Sequence, residues 1–323
     1  MKDLIDISIV VPCYNEEGVI PEFVKRTIKV IRKLKKSFEI IIVNDGSNDS
    51  TLEVASSLAD IHSEIKVVNL SRNFGHQLAV TAGIDQANGK AVVLIDADLQ
   101  DPPEIITEMV QKWQDGYEVI YGKRRKREGE TKFKLITAKM FYRLLRMMTD
   151  TDIPEDTGDF RLMDRKVVNE IKNMRETHRF IRGMVSWVGF KQTHVFYDRK
   201  ERFAGETSYP LKKMLFFALD AIVSFSTIPL RLITLTGIIV VIATVSLSIL
   251  ILIVRLFRPE YFIPGFSATT LLILLFGGIQ IFTIGVIGEY LGRIYEEIKK
   301  RPLYIIKSIY NSKKIYNKII MEE

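Results

Sequence analysis

The chain has 323 residues, 47% of them hydrophobic, which is apolar content enough for one large domain or two ordinary ones. Lysine and arginine outweigh the acids by a net charge of +7, a balance that suits nucleic acid, an anionic membrane surface or a phosphate-bearing substrate without choosing among them. The single cysteine, Cys13, excludes an internal disulfide framework and a cysteine-built metal site, so any metal must take oxygen or histidine ligands.

The opening residues, MKDLIDISIVVP, hold too short an apolar run for a secretory signal, and no small-residue cleavage site follows. The front of the chain is therefore expected in the cytoplasm. Apolar, β-branched runs recur at Ile7 to Val11, Glu39 to Val43, Ile65 to Leu70, Ala91 to Ile95 and Glu118 to Tyr121. The stretches between the first four are long enough for helices, which predicts an α/β domain with a mostly parallel sheet and helices on its faces. In such sheets ligands sit outside the carboxyl ends of the strands, so the loops there are where chemistry is sought.

Those loops read PCYNEE from Pro12, NDGSNDST from Asn44, SRNFGH from Ser71 and DAD from Asp96. Each alone has an ordinary explanation: Asp49 or Ser50 as a helix cap, Gly46 as a turn, Asn73 and Gly75 as left-handed residues. Four such loops on one edge of one sheet point instead to a site. No GxGxxG follows any strand, and GIDQANGK from Gly83 misses the P-loop spacing, so a nucleotide would be held through metal and side chains. In VLIDADLQDPPE, strand geometry continued past Ile95 would turn Asp96, Asp98 and Gln100 to one side. Asp101 and Glu104 bracket two prolines and read as the start of the next helix.

Further along, Lys132 to Met148 is basic and apolar at helical spacing, which reads as one core face and one solvated face, and Trp187 also reads as core. Asp198 to Ser208 offers Arg199 and Arg202, a pair able to grip a phosphate, or else a solvated loop. The next run, Leu211 to Ile228, reads as a helix lying in a membrane interface. Leu232 to Val254 is 23 residues without a charge and Leu271 to Gly288 another 18, which predicts two membrane-spanning helices over about 232–254 and 268–290. Lys212, Lys213 and Arg231 precede the pair, and Arg293, Lys299, Lys300, Arg301 and Lys307 follow it. Only Arg255 and Arg258 lie between, so both ends are expected on the cytoplasmic side. The organisation expected is a catalytic domain over 1–210, an interfacial helix over 211–230, a transmembrane hairpin over 231–292 and a basic tail over 293–323.

Taken together, VVPCYNEE, VNDGSNDST, SRNFGHQLA, DADLQDPPE and GDFRLMDR, in that order and followed by two apolar runs, resemble family 2 of the inverting glycosyltransferases, of GT-A fold. Within it the chain is most similar to polyprenyl-phosphate glycosyltransferases, the bacterial relatives of dolichol-phosphate mannose synthase. The resemblance implies that Pro12, Tyr14 and Glu16 line the nucleotide pocket and that Asp45 recognises the base, usually uracil. It implies that Asp98 and Gln100 ligate a divalent ion, Mg2+ or Mn2+, with Asp96 near both ribose and metal. Asp159 matches an acid at the sugar and acceptor end, and Arg199 and Arg202 match basic residues near the acceptor phosphate. His76 stands where the family has Lys or His, with no role attached.

The expected reaction is inverting transfer from a nucleotide-diphosphate sugar, UDP-glucose for example, to undecaprenyl phosphate in the cell membrane. A hard cation bridging the diphosphate would stabilise its departure, and hard cations take oxygen ligands. A lipid phosphate is already anionic and needs no strong base, so Asp159 is read first as an orienting or metal-supporting acid and second as a base. The partners implied are the UDP-sugar, undecaprenyl phosphate, a second copy of the chain, and a flippase and second transferase downstream, but no nucleic acid. Two other readings compete. A processive polysaccharide synthase would carry QxxRW and more spans, and a non-catalytic scaffold would have shed metal ligands that are present here.

Overall fold

The computed structural model of the chain describes residues 5–125, 157–198, 228–257, 266–311 and 314–316. These fall into two compact units, one holding 5–125, 157–198 and the residues from 302 on, the other holding 228–257 and 266–301.

The first unit is built on one sheet. Strands β1 (Ile7–Cys13), β2 (Phe38–Asn44), β3 (Ile65–Leu70) and β4 (Ala91–Leu94) run parallel in the order β3-β2-β1-β4. All of β1 is buried, as expected of a strand covered on both faces. Alternation then sorts the side chains. Ile7, Ile9, Val11, Ile40, Ile42, Ala91 and Val93 enter one core with helices α1 (Ile20–Lys33), α2 (Thr51–Ile61) and α4 (Ile106–Gln114). Val10, Ile41, Val43, Val92 and Leu94 enter the other, with α3 (His76–Gln86), α5 (Arg165–Asn173) and α6 (Ile181–Trp187).

Outside this parallel centre the sheet is mixed. Strand β6 (Thr157–Asp164) is antiparallel to β4, and β5 (Val119–Arg124) is antiparallel to β6 and parallel to β7 (Gln192–Tyr197). At the opposite edge β8 (Ile306–Asn311) is antiparallel to β3 and carries the short β9 (Lys314–Tyr316). The segment read from sequence as a basic tail thus contributes a strand to this sheet.

The second unit consists of helices α7 (Ile228–Phe257) and α8 (Phe266–Ile298), of 30 and 33 residues. Among the described residues no helix is long and apolar enough to cross a membrane. The two spans expected over 232–254 and 268–290 are therefore not shown, although helices cover those residues and leave Leu235, Ile238, Ile239, Ile242, Leu250 and Ile253 exposed. In α8 the apolar run is diluted by Thr269, Thr270, Gly277, Gly278 and Gln280 and ends in Glu289 and Arg293. Residues 211–227 of the expected interfacial helix, the Lys132 to Met148 segment and the arginines Arg199 and Arg202 lie outside the described residues, while 228–230 open α7.

Candidate active site

Strand β1 stops pairing with β4 at Val10–Leu94 but continues beside β2 to Cys13–Asn44. Cys13 O accepts from Asp45 N at 2.9 Å, so Cys13 faces β2 and Pro12 faces the other way, past the end of β4. The missing N–H of Pro12 therefore breaks no ladder bond, and the early end of β4 opens a notch at the carboxyl edge. The chain turns into this notch after Ile95.

The turn overrides the strand-like alternation expected of Asp96, Asp98 and Gln100. Leu99 takes a left-handed backbone (φ 59°), and Gln100 N donates to Asp98 Oδ1 at 3.1 Å, so the three side chains stand on a tight turn. Ladder pairing of β4 with both β1 and β6 ends at Leu94, so the stretch after Ile95 is not held extended. Asp101 departs from its expected role as well. It is 3% exposed, its Oδ1 accepts from the Tyr197 hydroxyl and lies 3.9 Å from Arg124 Nη2, and Arg124 Nε donates to Tyr197 Oη at 3.3 Å. Asp101 therefore ties the turn to β5 and β7, and burial with the adjacent carboxylate pushes the Tyr197 phenol up. Glu104 stands as expected in the first helical turn, Pro103–Ile105, which leads into α4, and forms a forked pair with Arg26, the closest contact being 2.7 Å.

Opposite Asp96 stands Asp159. Leu94 pairs with Arg161 across β4 and β6, and continuing that antiparallel register by two residues sets Asp159 beside Asp96. His76, the first residue of α3, joins the two acids: its Nε2 is 3.1 Å from Asp159 Oδ2 and 3.8 Å from Asp96 Oδ1. Arg182 on α6 grips Asp159 from the other side, Nε to Oδ1 at 2.7 Å and Nη2 to Oδ2 at 3.2 Å. Buried Arg161 donates to the carbonyls of Gly158 and Asp159, which fixes the backbone beneath the carboxylate.

Charge in this cluster follows from the contacts. Burial alone would raise Asp159, but Arg182 and His76 hold its carboxyl well below the usual range. Burial also works against a charged His76, yet the hydrogen bond to Asp159 and the charges of Asp96 and Asp159 push the imidazole up to about 9. Asp96 is pushed up to about 6, first by its recessed setting and then by Asp159, Asp101 and Asp98, with His76 acting the other way. Its side chain still keeps 40% of its surface, so it is open to a ligand.

Beside the notch, the loops after β1 and β2 are laced together. Asn15 N donates to Ser47 Oγ at 3.0 Å, Asn48 N to Asn15 Oδ1 at 2.9 Å, and Glu16 N to Thr51 Oγ1 at 2.8 Å. Tyr14 is exposed, with its hydroxyl 3.4 Å from Asn48 Nδ2. Asp45 is buried, and its oxygens accept from Phe74 N at 2.7 Å and Gly75 N at 3.0 Å, which pins the loop after β3. Burial raises this carboxyl, against those two bonds and the nearby His76 and Arg72. Gly46 follows with φ 66°, and a Cβ there would meet the backbone of Arg72 and Asn73 at 2.4 Å, so only glycine fits.

The structure thus gathers Asp96, Asp98, Gln100 and Asp159 at one notch, with Pro12 near the end of β1 and Tyr14, Glu16 and Asp45 on the adjoining loops. Among the described residues, no group of three or more His, Cys, Asp or Glu side chains is placed to hold a metal ion. Reading the sequence did not find Arg182, which lies in the unremarkable HRFIRGM, nor the buried Asp101–Tyr197–Arg124 joint. Trp187, read as core, is 66% exposed.

An α/β sheet with a parallel centre, and acids and cations gathered at its carboxyl edge, is an architecture that binds ligands outside the ends of its strands. The family model described as Glycosyl transferase family 2 matches residues 8–172, more than half of the chain. The chain belongs to that family and is a glycosyltransferase. The Bacillus subtilis (strain 168) protein named "Uncharacterized glycosyltransferase YkcC" is 53% identical over 318 residues, covering 98% of each chain. The Escherichia coli (strain K12) "Prophage bactoprenol glucosyl transferase homolog" is 43% identical over 305 residues, 94% of this chain and 99% of that one. The "Bactoprenol glucosyl transferase" of Shigella phage SfII is 42% identical over 305 residues, 93% of this chain and 97% of its own.

Proposed function

We propose that this enzyme transfers a sugar, glucose first among the candidates, from a UDP-sugar to a polyprenyl phosphate such as undecaprenyl phosphate, with inversion. The observation that carries the reading is the meeting of the Asp96–Gln100 turn with the Asp159–His76–Arg182 cluster at the notch beside the β1 and β2 loops. The names of the Escherichia coli and phage relatives support a lipid-phosphate acceptor and glucose as the sugar.

In this reading Pro12, Tyr14, Glu16 and Asp45 face the nucleotide. Asp45 does so from a buried position, where it also shapes the loop after β3. Two carboxylates and an amide, Asp96, Asp98 and Gln100, are hard oxygen donors suited to Mg2+ or Mn2+, whose remaining positions suit donor phosphates and water. Asp96 keeps 40% of its side-chain surface exposed at the notch, so its carboxylate is accessible to such an ion. Such an ion would supply neutralisation of the charge that develops on the diphosphate.

An oxygen of the lipid phosphate attacks the anomeric carbon on the face opposite the diphosphate. A new C–O bond forms as the bond to the diphosphate breaks and UDP leaves. No proton has to be removed from the phosphate. Asp159, held as an anion by two cations, therefore orients Arg182 and His76 rather than accepting a proton, and those two place positive charge beside the reacting anions. Arg199 and Arg202 are the further cations proposed for the acceptor phosphate.

The same reading puts the enzyme at the membrane, with α7 and α8 as its lipid-facing part and both chain ends on the cytoplasmic side. UDP titrated calorimetrically into the detergent-solubilised chain should bind only when Mg2+ or Mn2+ is present, and EDTA should reverse the binding. Equal binding of GDP, or binding indifferent to the cation, contradicts the donor assignment.

A further inference from the structure

Three buried polar side chains stand in a row across the sheet: Asn44 on β2, Asn69 on β3 and Ser308 on β8, each opposite the next in register. Asn69 Nδ2 donates to Ser308 Oγ at 3.3 Å, and Asn44 Nδ2 donates to Asn69 Oδ1 at 2.9 Å. The row continues into the loops beside the notch. Asn44 Oδ1 accepts from Ser47 N at 3.3 Å, and Ser47 Oγ accepts in turn from Asn15 N. Asn15 Oδ1 then accepts from Asn48 N. Asn15 itself holds a left-handed backbone, φ 57°, a conformation asparagine adopts more readily than most residues, and its bonds reach across to Ser47 and Asn48.

The row just before it, Val43, Val68 and Ile309, is apolar and holds the same strands together. Cohesion alone would be served as well by a second apolar row. What a polar row adds is orientation, because each amide is fixed by the one behind it and a missing partner leaves a buried donor unsatisfied. Ser308 anchors the far end. It lies 239 residues from Asn69 and beyond the part of the chain matched by the family model.

We infer that Ser308 and Asn69 are positioning residues for the donor site. Through Asn44 they set the conformation of the 44–48 loop and of Asn15, and so make the strand after α8 a working part of nucleotide binding. This rests on the proposed placement of the donor nucleotide on the loops after β1 and β2. Neither residue touches the reacting atoms, so the effect belongs in donor affinity and not in turnover.

The test uses the full-length chain in detergent, with UDP-glucose and undecaprenyl phosphate as probes. In S308A, hydrogen exchange of the backbone over 44–51 should quicken in the absence of nucleotide. The KM for UDP-glucose should rise about 3- to 10-fold, with kcat and the KM for lipid phosphate within about 2-fold, and S308T should restore both readouts. Should S308A not fold, S308C replaces the hydroxyl by a slightly larger thiol that donates and accepts only weakly, and the same shifts are expected. Unchanged exchange over 44–51 overturns the inference. So does a parallel rise of both KM values with a lowered Tm that S308T does not restore, since that marks a role in general stability. If S308A quickens exchange but the wild type shows no saturation by any UDP-sugar, the donor placement fails while the hydrogen-bonded relay stands.

Discussion

A carboxylate that accepts two hydrogen bonds from Arg182 and lies 3.1 Å from His76 Nε2 has its charge built in, and this decides how Asp159 is used. In D159N the anion is gone while the two cations remain adjacent. The His76 pKa should then fall from about 9 toward 6.5, as followed by NMR titration of the imidazole. The sign of the pH effect on folding follows from the same shift. His76 is raised in the folded protein, so its contribution to stability is fully present below pH 6.5 and lost as pH rises through about 9. For the metal-free protein, the Tm difference between wild type and H76A should be large at pH 6 and vanish above about pH 9. A difference constant across that range would show that His76 is not charged by its two acids. Asp98 belongs to the same scale: D98A should fold normally and lose at least about 100-fold in turnover, and undiminished activity would remove Asp98 from the proposed metal set.

At the scale of elements, the loops after β1, β2 and β3 are tied to one another by hydrogen bonds. G46A should destabilise the chain by roughly 2 kcal/mol or more, since both the left-handed backbone and the approach to Arg72 resist a Cβ; urea unfolding measures this. The four parallel strands were legible because their apolar runs are buried on both faces and carry no competing helical period. Strands β6 to β9 were not. IKSIYN mixes Lys, Ser and Asn with its apolar residues and follows a long apolar helix, so nothing local marks it as a neighbour of β3. The site was legible as a set of strand-end loops, because polar residues after buried strands stand out. Its internal geometry was not. His76 meets Asp159 across 83 residues and Arg182 meets it across 23, and such pairings come from topology and not from spacing. The DADLQ stretch drew the opposite error: its alternation suggested a strand, but the end of β4 released it into a turn.

The proposed lipid-phosphate acceptor belongs to the scale of the whole molecule. Helices α7 and α8 expose isoleucines and leucines along their length, and the proposed acceptor is a lipid. Cysteine-accessibility labelling in membrane vesicles should find positions near both chain ends reactive from the cytoplasmic face alone. Reactivity of the two ends from opposite faces would contradict the proposed arrangement.

The central claim is tested most directly by incubating the purified full-length chain with Mg2+, radiolabelled UDP-glucose and undecaprenyl phosphate, and extracting with chloroform. The account predicts labelled lipid that depends on both the cation and the lipid phosphate. No extractable label with UDP-glucose or any other UDP-sugar, from a protein shown to be folded, would contradict it.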